Sequence, residues 1–281
     1  MGGLHFHARQ VRLYFRSFFN LVANITVSWF SGKQKTPALT HEAPLYPSLA
    51  GNICIEQVDL QRADTPLFQQ LSLSWNETRV GLIGNNGSGK SSLVRLLNGL
   101  ITPEQGRVSV FGYDTVKQAA LMPALVGFIF QNPDHQMIFP TVAEELAFGC
   151  EQLGQSTQKA RASALALLAE QGIESWADRP VTQLSEGQKQ RVCILSVLIM
   201  KPRLLILDEP FSSLDLPTRR LLLALIHNTD THVLLISHDF SVYDDFDRLI
   251  WVDGGQIKAD GLPDEVIRSY IASVDNLSVS L

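Results

Sequence analysis

Residues 82–93 read LIGNNGSGKSSL: three glycines, two asparagines and a lysine between an apolar stub and an apolar run. Gly84, Gly87 and Gly89 can take backbone angles closed to other residues, so successive N–H groups can turn toward one point. Such a nest, leading into a helix N-terminus with its partial positive charge, is an anion cradle. Asn85, Asn86 and Ser88 complete the loop, Lys90 adds a point charge, and Ser91 offers a hydroxyl to a metal before Ser92 continues the helix. The spacing G-x-x-x-x-G-K-S, met by Gly84, Gly89, Lys90 and Ser91, suits the phosphates of a nucleotide triphosphate. The alternative is a glycine-rich turn that binds nothing; the strand before the loop and the helix after it favour the phosphate reading.

A second group could do chemistry with that nucleotide. LLILDEP, residues 204–210, is an apolar strand ending in two carboxylates. Asp208, leaving a sheet at its C-terminal edge, can reach a phosphate-bound Mg²⁺ through water. Glu209 can polarise a water for attack on a γ-phosphate. Standing alone, the pair is equally the start of a solvated loop. LSEGQKQR, residues 184–191, also has two readings. Ser185 with Gln188 three residues on forms a capping box; Ser185 with the amide of Gly187 at a helix N-terminus forms a second phosphate clamp. SSLD (212–215) brings Asp215, SHD (237–239) brings His238, and Gln131 follows the strand VGFIF. His238 and Gln131 would each be ordinary in isolation.

These residues need a scaffold, and the chain from residue 51 onward spells one. NICIEQVDL and LFQQLSLSW alternate like strands, and RVGLIG is a short buried strand that feeds the glycine loop. KSSLVRLLNGL is a helix ended by Gly99. GRVSVFG and LVGFIF are further strands. Between about 141 and 200 the pattern is helical, and the Ala/Leu face of 157–171 is read as core packing. Then RLLILDE, LPTRRLLLALIHN, HVLLISHD, SVYDDF and RLIWVDGG alternate strand and helix. Fully apolar strands in that alternation imply a largely parallel sheet covered by helices, interrupted by a helical insertion.

Composition narrows the partners. A net charge of −5 and a pI near 5.8 argue against a protein that chiefly binds nucleic acid. Cys54, Cys150 and Cys193 are far apart and read as small hydrophobes in a reducing compartment. Residues 1–50 differ from the rest: His5, His7, Arg9, Arg12 and Arg16 precede SFFNLVANITVSWF, and a Pro-containing spacer comes next. The uninterrupted segment 17–31 is short for a membrane span and contains Asn20 and Asn24. This N-terminal extension is read either as a surface-associated amphipathic helix with its linker or as upstream sequence before a start nearer residue 50.

In chain order, the loop at 84–92, Gln131, the 184–188 signature, the acidic strand 204–209, Asp215 and His238 resemble the ATP-binding cassette (ABC) ATPases across residues 51–270. The resemblance implies an α/β P-loop NTPase domain over 51–281. Its sheet would be mixed and mainly parallel, with antiparallel strands at the N-terminal side and a helical signature subdomain at about 132–200. It implies that Lys90 and the loop amides hold ATP, that Ser91 and Gln131 reach Mg²⁺, and that Asp208 holds the metal's water shell. Glu209 would be the general base and His238 a contact to the γ-phosphate. Ser185 and Gly187 would meet ATP on an opposing subunit, so two chains would pair face to face, and Gln188 and Asp215 are counted with the ATP-binding residues. Two positions depart from the family. The aromatic that stacks adenine falls near Arg62, whose plane can also stack. Glu186 replaces a common glycine, and its side chain is expected to turn away from phosphate.

FQNPDHQMIFPTVAEELAFG, residues 130–149, resembles the energy-coupling factor transporters, importers of vitamins and transition metals. That likeness implies a peripheral ATP-binding subunit on the cytoplasmic face of the inner membrane. Its partners would be a second cassette subunit (a homodimer before a heterodimer), a transmembrane coupling subunit and a substrate-binding membrane subunit. Met137, Ile138 and Phe139 are expected to line the groove for the coupling subunit, with helical core as their other reading. Biotin is the favoured cargo, then cobalt or nickel. A non-transport cassette ATPase or a regulatory nucleotide-binding module is the competing class; the presence of both Lys90 and Glu209 speaks against the second.

Overall fold

The computed structural model describes residues 43–62 and 65–278. The basic and apolar stretch at the N-terminus lies outside the described residues. Residues 43–50 lie within them and pack on the body of the domain. The Tyr46 hydroxyl donates to Asp114 at 3.1 Å, Gln118 donates to the Ala43 carbonyl at 3.0 Å, and Arg203 donates to the Ala50 carbonyl at 2.9 Å.

Two sheets form the described domain. The smaller is antiparallel, in the order β2-β1-β4-β5, from β1 (Ile53–Arg62), β2 (Thr65–Trp75), β4 (Gln105–Val110) and β5 (Tyr113–Asp114). The larger has the order β10-β9-β3-β8-β7-β6. Its strands are β3 (Arg79–Ile83), β6 (Val126–Ile129), β7 (Leu204–Asp208), β8 (His232–Ile236), β9 (Arg248–Asp253) and β10 (Gln256–Gly261). The first five run parallel, and only β10, paired with β9, is antiparallel. The mainly parallel sheet and the antiparallel N-terminal strands expected from the sequence are both present. The antiparallel edge strand β10 has no counterpart in the sequence reading, because QIKADG alternates half-buried with exposed positions and lacks an apolar run.

The parallel strands are apolar because helices cover both faces. Leu204, Leu205, Ile206 and Leu207 are fully buried, as are Val80 and Leu82. Helix α1 (Lys90–Leu97) buries Leu93, Val94, Leu96 and Leu97, and Gly99 ends it at φ +72°, where a Cβ would strike the Thr115 carbonyl. The short α2 (Met122–Leu125) leads into β6. Then α3 (Val142–Gln152), α4 (Thr157–Glu170) and α5 (Glu186–Leu198) build a separate core. Ala160, Ala164 and Leu168, spaced by four, are the buried stripe of α4. Helix α6 (Leu216–His227) and the terminal α7 (Pro263–Ser278) complete the cover. The stretch SVYDDF forms a 3₁₀ turn, Phe240–Tyr243, rather than a full helix or strand, because Asp239 caps it and Tyr243 dives into the core.

Gly81, at the middle of β3, is a tightly packed point of this core. A Cβ there would lie 2.4 Å from Leu249 Cδ1 and 2.6 Å from the Tyr243 ring. Gly81→Ala should therefore destabilise the domain by about 1–3 kcal/mol through overpacking. The melting temperature should drop by roughly 2–4 °C per kcal/mol; an unchanged melt would mean that the neighbours relax freely.

Candidate functional site

Because β3, β6, β7, β8 and β9 share one direction, the loops at their C-terminal ends open on the same edge of the sheet. That edge is where open α/β sheets bind ligands. β3 leads to Gly84, β6 to Gln131, β7 ends in Asp208, β8 leads to His238, and β9 ends in Asp253.

The glycine loop takes backbone conformations that its glycines alone permit. Gly84, Gly87 and Gly89 have φ of +150°, +83° and +112°. A Cβ on Gly84 would lie 2.0 Å from the Val252 carbonyl, and one on Gly89 would lie 2.7 Å from the Phe68 ring. No side chain caps the N-terminus of α1, which faces the loop. Lys90 is nearly buried, and its Nζ donates to the carbonyls of Gly84 (2.6 Å) and Asn85 (3.0 Å), bracing the loop from inside. Burial lowers the proton affinity of Lys90, while Glu209, Asp208 and Asp253 oppose that change. Ser88 Oγ is buried with no hydrogen-bond partner, an orphan inside the cradle. Asn86 and Ser91 are exposed, and Ser92 is half-buried at the start of α1.

The two carboxylates differ in surroundings. Burial pushes Asp208 up from the usual carboxylate range, and Lys90, Arg95 and His238 pull it back. Burial also raises Glu209, opposed by His238 and reinforced by Asp208. Glu209 adopts φ +53°, a conformation that costs a non-glycine residue about 1–2 kcal/mol. Its N–H donates to the Ile236 carbonyl at 3.0 Å, which extends the β7–β8 ladder and holds that conformation. Glu209 Oε1 is buried and accepts no aligned hydrogen bond, while His238 Nε2 lies 3.0 Å away. A buried carboxylate oxygen with a free lone pair, beside an imidazole, is arranged to take a proton from water.

These residues also fit a divalent cation of the Mg²⁺ type. Asp208, Glu209 and Asp253 bring three negative charges toward the single ammonium of Lys90. The donors expected for it from the sequence, a carboxylate, the Ser91 hydroxyl and the Gln131 amide oxygen, are hard oxygens. Among the described residues no group of three or more His, Cys, Asp or Glu forms a self-sufficient metal site.

Other predicted residues sit apart. Gln131 is exposed and donates to Ser212 Oγ at 3.4 Å. Ser185 caps α5: its Oγ accepts from the Gln188 N–H, and Gln188 Oε1 accepts from the Ser185 N–H at 3.0 Å. The capping box thus exists, and Ser185 remains exposed with a hydroxyl proton to donate. None of the hydrogen bonds among the described residues joins 185–188 to 84–92. Glu186 accepts a hydrogen bond from Ser213, so its carboxylate is directed to the neighbouring loop of its own chain. A Cβ on Gly187 would meet Thr218 Cγ2 at 2.5 Å. Asp215 caps α6 through the Thr218 N–H at 2.9 Å, and hydrogen bonding from the Thr218 hydroxyl, then from its N–H, lowers the proton affinity of Asp215. Arg62 is exposed at the end of β1, paired in register with Thr65.

The segment after Gln131 is held by a residue that sequence reasoning passes over. Glu145, 6% exposed on α3, accepts from the N–H groups of Ile138 and Phe139 on one oxygen, both at 2.9 Å. Its place as the second of two adjacent glutamates, on the inward side of an apolar helix, is the available signal. Met137 packs on the helical core and Phe139 on Phe148, with ring centroids 4.8 Å apart. Ile138 is 43% exposed.

Comparison with known proteins places this geometry among relatives. The family model described as "ABC transporter" matches residues 68–212. A biotin transport ATP-binding protein, BioM, of Rhodobacter capsulatus is 47% identical over 226 residues, 80% of this chain and 97% of that one. An energy-coupling factor transporter ATP-binding protein, EcfA, of Syntrophomonas wolfei is 38% identical over 73% of this chain and 78% of its own. The structure of cbiO1 from Clostridium perfringens, described as part of the ABC transporter complex cbiONQ, superposes with a TM-score of 0.69 at 26% identity. It covers 81% of this chain and 92% of that one.

The arrangement of Glu209 makes a prediction about hydrolysis. Glu209→Gln should bind ATP but hydrolyse it at least about 100-fold more slowly. A Glu209 acting as base would do so ionised, and burial raises its proton affinity. The rate should therefore fall, as pH is lowered, at a higher pH than an ordinary carboxylate would set. A rate–pH profile at saturating ATP tests this; an acid limb that persists unchanged in Glu209→Gln would remove the assignment.

Proposed function

The chain belongs to the ABC transporter ATPases, and on that premise we propose that it is the ATP-binding subunit of an energy-coupling factor importer. Biotin is the favoured cargo, ahead of cobalt or nickel. The observation that carries this reading is the 130–149 segment, which presents Ile138 on the surface of the helical subdomain while its backbone is pinned by buried Glu145. Likeness to BioM over four-fifths of the chain supports the cargo. No helix among the described residues is long and apolar enough to cross a membrane. In this reading transport requires membrane subunits, and the chain works peripherally on the cytoplasmic face.

Hydrolysis draws on the residues already placed. The amides of 84–92 and Lys90 hold the β- and γ-phosphates; the ammonium exchanges loop carbonyls for phosphate oxygens, which suit its charge better. Arg62 stacks on the base. Glu209 takes a proton from a water as that water attacks the γ-phosphorus and the bond to the β–γ bridging oxygen breaks. His238 steadies the γ-phosphate. Ser91 and Gln131 would hold Mg²⁺, with Asp208 reaching it through water, and the ion supplies charge neutralisation at the phosphates.

The signature and the phosphate loop of one chain are unconnected by hydrogen bonds, which supports a chamber completed by a second copy. Ser185, Gly187 and Gln188, with Asp215, then face ATP held by the partner. Gly187 is a poor site for a test, because any side chain strikes Thr218. Ser185→Asp keeps a good N-cap and sets a carboxylate against the opposing γ-phosphate. Ser185→Asp and Lys90→Ala chains should each be inactive alone. Mixed, they should regain part of the parent ATPase rate, because one chamber then has an intact loop and an intact signature. No recovery in mixed dimers shown to form would count against two composite chambers.

The coupling surface has its own test. Ile138→Asp should leave ATP hydrolysis by the isolated chain within about two-fold, since burial and fold are untouched at an exposed position. It should strongly reduce ATP-driven uptake in cells that carry the membrane subunits. Normal uptake of labelled biotin, cobalt and nickel by that variant would move the docking surface elsewhere.

A further inference from the structure

The terminal helix α7 takes no part in the chemistry above, yet it touches two of the loops that carry it. Val266 anchors the helix in the main core. One turn later, the Tyr270 hydroxyl donates to Asn85 Oδ1 at 3.0 Å. Asn85 in turn donates from Nδ2 toward Asp253 Oδ1 at 3.5 Å. The Tyr270 ring meets Phe240 edge-on, with centroids 5.7 Å apart, and Trp251 likewise at 5.3 Å.

Each of these contacts lies at a functional joint. Asn85 is the second residue of the glycine loop, and Phe240 comes two residues after His238. Trp251 is on β9, in register with Ile83, the last residue of β3 before that loop. Lys90 braces the loop from inside through its carbonyls. Asn85 is the handle on its outer side, held between Tyr270 and the end of β9. One side chain therefore joins the phosphate loop, the loop of His238 and the sheet that carries both.

We propose that Tyr270 is a positioning residue for ATP hydrolysis, its hydroxyl setting the phosphate loop through Asn85 and its ring setting the His238 loop through Phe240. The inference rests on 84–92 being the nucleotide cradle. It makes α7 a place from which ATP turnover can be tuned without touching the nucleotide, because the two functions of the side chain are chemically separable. The hydroxyl acts on a neutral hydrogen bond, and the ring acts by edge-on packing.

The test uses the purified full-length chain with MgATP, measuring Kd by titration and kcat and KM by steady-state hydrolysis. Tyr270→Phe keeps the ring and should raise Kd about three- to ten-fold, with kcat within two-fold. Asn85→Ala should do the same, and the double variant should bind no more weakly than Asn85→Ala alone. Tyr270→Leu, which also loses the ring, should lower kcat roughly five-fold as well. Should the Leu variant fail to fold, the Phe–Ala cycle still decides. Lys90→Ala reports on the cradle: parent-like ATP binding by that variant would overturn the cradle and the inference together. Loss of binding in Lys90→Ala with a silent Tyr270→Phe, or with multiplying effects in the cycle, would overturn the inference and leave the cradle standing.

Discussion

The parallel register of five buried strands is the constraint on which the rest of the site depends. β3 lies between β8 and β9, and β7 between β8 and β6, so the ends of all five strands open on the same edge. Register, not any single contact, sets how far Glu209 is from His238 and Lys90 from Asp208. The register in turn depends on apolar side chains filling both faces, and on Gly81, where Leu249 and Tyr243 crowd against the bare backbone. A one-residue slip in β8 would exchange the side chains packed on its two covered faces and carry His238 away from Glu209.

Within that frame the site holds conformational and electrostatic strain that the scaffold has to offset. Glu209 sits in a left-handed conformation, secured by one ladder bond to Ile236. Lys90 is nearly buried, and carboxylates surround it. Tyr243, fully buried, accepts from the Ser237 N–H at 2.8 Å directly before His238, and its own proton affinity is raised by burial. The costs at Glu209 and Lys90 fall on residues proposed to move protons or grip phosphate, where strain and pre-organisation are expected together.

The helical subdomain solves a different problem. Its core is independent of the main sheet, with α3, α4 and α5 packed around Val142, Leu146, Ala164 and Val192. It carries the signature at the capped start of α5 and the 137–140 segment on α3's approach. Glu145 ties the second of these to the subdomain core, and the Glu186–Ser213 bond ties the first to the loop before α6. Both surfaces proposed to meet partners are thus fixed from behind by carboxylates, which leaves Ser185 and Ile138 exposed.

Local signals are legible from residue order alone. Glycines with positive φ, the Ser185–Gln188 box, the apolar strands and the acidic end of β7 all depend on neighbours a few residues apart, so spacing encodes them. The motifs also identify the family, because their types and their order along the chain are themselves sequence features. Other features are decided by folding. Tyr270 meets Asn85 across 185 positions, Tyr46 meets Asp114 across 68, and Glu145 turns inward to hold two amides. Nothing in the composition of α7 or of residues 43–50 announces those contacts. A hydrogen bond between distant residues has no periodicity or local propensity to betray it; it exists only where sheet register and helix packing bring donor and acceptor within about 3 Å.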